Sequence, residues 1–119
     1  YETGQFKIPT DAREGMIYGG CNCGNCHITI SSNGDVMACR RVTNSKVANI
    51  FEDRLVDVWI CQMEKYREYD KFMKCSRCEL KAWCRGCPAV ANGTGGNFYG
   101  VDPQCWKTKN EITGEKLPC

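Results

Sequence analysis

No stretch of these 119 residues is apolar for long enough to cross a bilayer, and no basic start leads into an apolar run. The expectation is a chain neither inserted in a membrane nor exported, and so cytoplasmic. A surplus of one charge sign is also missing. Sixteen basic and fourteen acidic residues leave a formal charge of +2 without a single-signed block, which removes nucleic acid as the default partner. The chain is short as well: it suffices for one domain with a modest core but not for a complete (β/α)8 barrel, which needs about 250 residues. Its first residue is Tyr1 rather than Met, which reads as a piece of a longer polypeptide. Histidine is nearly absent, with His27 alone, so a metal site here would have to be built from something else.

Cysteine is what the chain has in excess, eleven in all. A disulfide scaffold, zinc and iron-sulfur clusters could each use that many. A reducing cytosol moves the weight from disulfides towards metal. The densest stretch is CSRCELKAWCRGCP, Cys75 to Pro88, whose four cysteines are spaced by two, five and two residues. A zinc ribbon separates its two pairs by roughly 15 to 20 residues. The gap from Glu79 to Trp83 is little more than one helical turn, which suits wrapping a cluster. Cys87-Pro88 also echoes bacterial ferredoxins, in which the last cysteine of a tight run serves the other of two clusters.

Along the chain, residues 1–20 carry four glycines and no sustained period, and read as a linker or approach segment with one short extended piece around Phe6 to Ile8. Cys21, Cys23 and Cys26 then crowd into six residues. HITIS alternates, with Ile28 and Ile30 on one face, and Asn33-Gly34 predicts a hairpin turn whose return strand, Val36 to Ala38, brings Cys39 back beside Cys26. His27 reads as a strand residue rather than a ligand. Residues 40–51 form a polar turn and a short apolar segment, with Arg40 and Arg41 a solvated pair. Asp53 is a suitable N-cap, and Leu55, Val58, Trp59, Met63 and Tyr66 recur at helical intervals. A helix is predicted over about residues 54–69, with Asp57, Gln62, Lys65, Arg67 and Asp70 on its solvent face and Cys61 a free thiol. Residues 89–103 read as a flexible glycine-rich return that carries Cys105 back to the run, with Trp106 packing nearby. Residues 108–119 are a polar tail containing Cys119.

Cys21-x12-Gly34-x4-Cys39, Cys75-x2-Cys78-x5-Cys84-x2-Cys87 and Cys105 together resemble the seven-cysteine signature of the SPASM domain, a C-terminal extension of many radical S-adenosylmethionine (radical SAM) enzymes that modify ribosomally made peptides. Asn49-Ile50 ahead of Val58-Trp59 and the Cys-Arg-Gly-Cys-Pro ending add to the likeness. The chain departs from the pattern in having two residues, Arg85 and Gly86, where the family usually has three. It also has three cysteines at 21–26 where one or two ligands are common.

The resemblance implies a small α+β domain over residues 21–107, with a β-hairpin, one central helix and cysteine-rich loops organised around two metal clusters. It implies two auxiliary 4Fe-4S clusters, one on Cys21, Cys26, Cys39 and Cys87 and the other on Cys75, Cys78, Cys84 and Cys105. Cys21 is preferred because Gly24 follows it by three residues, as is often seen in the family; Cys23 could replace either neighbour. Eight thiolates make two sites of four and leave Cys23, Cys61 and Cys119 over. The implied function is electron relay or peptide positioning beside a radical SAM core domain of the same polypeptide, acting on a ribosomally made precursor peptide. The Cys-x3-Cys-x2-Cys loop of that core occurs nowhere here, so the chain is not catalytic alone, and S-adenosylmethionine belongs to the core. The alternative is a zinc-binding interaction module with structural four-cysteine sites.

Overall fold

Asn33-Gly34 turns the chain as the sequence predicts: Gly34 takes φ +86°, and a Cβ there would lie 2.6 Å from the ring of Phe51. In the computed structural model, which describes residues 7–107, this turn joins β1 (Thr29–Ile30) to β2 (Asp35–Met37). Thr29 pairs with Met37 and Ile30 with Val36, antiparallel. Ile28 packs on the core, whereas Ile30, beside the turn, is exposed. A third strand, β3 (Lys46–Asn49), extends the hairpin into an antiparallel sheet of order β1-β2-β3, with a register shift between Val36 and Met37. Residues 46–49 fall in the stretch expected to be a polar turn and a short apolar segment, with no strand predicted there. Their inward residue is the small Ala48, which pairs with fully buried Val36.

The single central helix expected over about residues 54–69 is instead a series of short turns. One α turn, α1 (Leu55–Asp57), passes into a π turn over Val58–Gln62 and then into 3-10 turns over Glu64–Arg67 and Tyr69–Lys71. The break has a packing reason. The Met63 N–H donates to Val58 O, five residues back, and this wider turn brings Val58 and Met63 onto one face. Val58, Met63 and Tyr66 are buried against Val36, Ala38, Ala48 and Cys23, while Leu55 stays outside. Cys61 is exposed, as a free thiol.

Residues 89–103 also differ from expectation. They begin with α2 (Pro88–Gly95), the longest helix described. Pro88 occupies the first turn, where its missing N–H is not needed, and Gly96 closes the helix at φ +68° by donating its N–H to Asn92 O at 2.8 Å. The GTGG sequence thus ends a helix rather than opening one. Phe98 and Tyr99 then return the chain to the core, Phe98 edge-on to Tyr66 and Tyr99 edge-on to Phe72. Of the approach segment, residues 7–20 are described. Tyr18 stacks on Trp83 with ring centroids 5.3 Å apart, and the N–H groups of Tyr18 and Gly19 both donate to Ala82 O. The expected extended piece at Phe6 lies partly outside the described residues, and the polar tail with Cys119 lies wholly outside them.

Candidate metal centre

Cys21, Cys23 and Cys26 sit on a loop wound around one carbonyl. Asn22 O accepts the N–H groups of Asn25, Cys26 and His27 at 3.0–3.3 Å, and Gly24 N–H donates to His27 O. Gly24, at φ +72°, has no room for a side chain, because a Cβ would lie 2.6 Å from Tyr66 Cβ. Two arginines hold this loop. Arg85 Nη2 donates to Cys21 O at 2.7 Å, and Arg67 Nε donates to Gly24 O at 2.6 Å. Each guanidinium also lies over an aromatic face: Arg85 over Tyr69 at 4.7 Å and Arg67 over Trp59 at 4.6 Å. Arg67 was predicted to face solvent, and no spacing signal marks either arginine as a clamp.

The loop brings the Cys23 thiol within hydrogen-bonding reach of the sulfurs of both Cys21 and Cys39. The hydrogen bond with Cys23 is the main influence that lowers the Cys21 thiol to about 6; burial opposes it, and the charge of Arg85 assists. Cys23 moves the opposite way, well above the usual thiol range, first because it holds the shared proton and then because it is buried. Cys39 is fixed on its own backbone, its N–H donated to Ser45 Oγ at 3.2 Å while that buried hydroxyl donates to Val42 O. Cys26 is exposed, as is His27.

The second group forms around Cys75. It is 8% exposed, and burial, followed by the negative charge of Cys105, Cys78 and Cys84, pushes its thiol up to about 11. Cys105, Cys78 and Cys84 therefore stand within electrostatic reach of Cys75, although Cys105 follows it by thirty residues. A short turn brings Cys78 round, its N–H donating to Cys75 O, and Cys84 N–H donates to Leu80 O at 2.7 Å. Asp102 fixes the backbone of two cysteines. Its Oδ2 accepts the Cys87 N–H, and its backbone carbonyl accepts the Cys105 N–H.

Ten cysteines are free among the described residues, and no three His, Cys, Asp or Glu side chains there converge on a point fit for one metal ion. An iron-sulfur cluster is held by thiolates spread over several irons, and the all-sulfur donor set fits one. A groove of about 720 Å³ runs past Cys78 between residues 12–17, 67–70, 76–79 and 81–83. No helix of the described residues is long and apolar enough to cross a membrane.

Among known families, the chain matches SPASM, an iron-sulfur cluster-binding domain, over residues 21–88. No curated protein and no solved structure matches it.

Proposed function

The chain belongs to the SPASM family of iron-sulfur cluster-binding domains, and from that premise we propose that it is the auxiliary-cluster domain of a cytoplasmic radical SAM peptide maturase. In this reading it holds two 4Fe-4S clusters beside the core domain of the same polypeptide, and a ribosomally made precursor peptide is the substrate. Cys75, Cys78, Cys84 and Cys105 hold one cluster. The observation that carries the proposal is that Cys105 stands within electrostatic reach of Cys75, since Cys105 lies beyond the matched residues and the resemblance assigns it to the same cluster. Cys21, Cys39 and Cys87 belong to the other cluster. For its fourth ligand the contact of Cys23 with Cys21 and Cys39 favours Cys23 over the exposed Cys26.

When bound, such clusters accept and release single electrons. The protein's own part is to set the sulfur positions, the local charge and the access of water that tune this exchange. In this reading the groove past Cys78 is the surface assigned to the peptide substrate. The test is anaerobic purification followed by iron and sulfide analysis. Brown protein with about eight of each per chain is expected for two 4Fe-4S clusters. Protein isolated anaerobically as a colourless zinc form would overturn the reading.

A further inference from the structure

Arg85 carries a positive charge that the fold buries without a carboxylate to balance it. It is 2% exposed, and among the described residues no Asp or Glu forms an ion pair with it. Its partners are the carbonyls of Cys21, at 2.7 Å, and Lys81, at 2.9 Å, together with the face of Tyr69. A buried cation held only by dipoles and a ring is costly unless an anion lies close by. The geometry indicates which anion. Arg85 sits two residues before Cys87 and reaches back 64 residues to grip the Cys21 carbonyl, so it links the backbone of Cys21 to the run that ends in Cys87.

Arg67 provides an internal comparison. It grips the same loop at Gly24, but its other hydrogen bond goes to Trp59 O, in the turn that packs on the core. Arg67 therefore ties the loop to the core, whereas Arg85 ties it to the Cys75–Cys87 run.

We infer that Arg85 is a positioning residue for the first cluster, holding Cys21 in place and supplying the fixed positive charge that favours the cluster's reduced, more negative state. This rests on the two-cluster reading above. Net charge and hydrogen bonding near the sulfurs are established determinants of cluster potential. A cation fixed in a site shielded from water acts more strongly than the same charge on a solvated side chain.

The test uses anaerobically prepared, cluster-loaded protein as wild type, R85K and R85Q. Iron and sulfide content is measured first, then the midpoint potentials, by reductive titration followed by electron paramagnetic resonance. In R85Q one potential should move to more negative values at unchanged iron content while the other stays put, and the signal that moves should be the one lost in C21S. R85K, which keeps the charge, should retain the wild-type value. Full iron content with both potentials unmoved in R85Q, or both moved equally, overturns the inference. If R85Q cannot hold the first cluster, R85K decides: a wild-type potential supports the inference and a lowered one overturns it. Loss of that cluster in both variants would make Arg85 merely structural and also overturn it. A wild-type protein without iron would instead reject the two-cluster reading itself.

Discussion

Asp102 Oδ2 accepts the backbone N–H of Cys87 at 2.7 Å, so the carboxylate of a returning loop fixes the last cysteine of the dense run. Its Oδ1 accepts the N–H of Gln104 at 2.8 Å, and the residue is 7% exposed. Replacing Asp102 with Ala leaves two backbone donors without their acceptor. Hydrogen bonds to a charged group contribute about 1.5–3 kcal/mol each, and partial solvation of the freed donors offsets some of that. D102A should therefore lose on the order of 2–4 kcal/mol in denaturant unfolding at matched metal content. D102N, which keeps one acceptor, should lose less. Equal stabilities of wild type and D102A would show that the contact is dispensable.

Glycines close to that contact and far from it should respond in opposite directions. Gly86 has φ +67°, and a Cβ there would lie 2.7 Å from Asp102 Cβ. G86A is expected to cost at least about 1–2 kcal/mol from the left-handed backbone alone, before the clash is counted. Gly93 lies inside α2 with nothing within 4 Å of a built Cβ. G93A should stabilise by about 0.5–1 kcal/mol through helix propensity. Thermal unfolding of both variants checks the pair of signs.

Individual thiols should separate by iron and sulfide analysis of anaerobic protein. C75S and C105S should each remove about half of the iron and sulfide, if each leaves one of two clusters intact. C61S should change neither, since Cys61 is exposed on the π turn. C23S is expected to lose more iron than C26S, because Cys23 is the thiol in contact with Cys21 and Cys39. The reverse order would assign Cys26.

Tyr99 predicts an alkaline limit. Burial, with the carboxylate of Glu68 next in weight, pushes its hydroxyl up to about 12, and among the described residues the hydroxyl has no hydrogen-bond partner. The unfolded chain ionises this tyrosine near pH 10, so the folded state binds the extra proton between about pH 10 and 12. Stability is intact below pH 10 and falls as pH rises through that window. Y99F should flatten the fall. At pH 7 it should be neutral or stabilising by up to about 1 kcal/mol, because it removes an unsatisfied buried oxygen. Denaturant unfolding at pH 7 and above pH 10 measures both effects.

Local chemistry explains which elements could be read from the sequence. The hairpin was legible because Asn33-Gly34 meets a backbone requirement within a few residues. The buried face of residues 55–66 was legible too, since Val58, Met63 and Tyr66 do pack. The break in that helix was not, because the four-residue step from Trp59 to Met63 fits a regular helix and masks the five-residue step from Val58 to Met63 that only a wider turn puts on one face. α2 was hidden by Gly93 and Gly95, whose low propensity is offset by Pro88 at one end and Gly96 at the other. The grouping of the cysteines was an expectation from the resemblance rather than from any local signal. The arginine clamps were not legible, because Arg67 and Arg85 act on carbonyls 43 and 64 residues away, and a carbonyl leaves no mark in a sequence.

The stacking of Tyr18 on Trp83 also has a mechanical side. Two N–H groups of the incoming chain share the Ala82 carbonyl, and a Cβ at Gly20 would lie 3.0 Å from Trp83 O, so this segment bears directly on the peptide linking Cys78 to Cys84. A displacement of Tyr18 therefore has to be absorbed by the short peptide that carries Cys84.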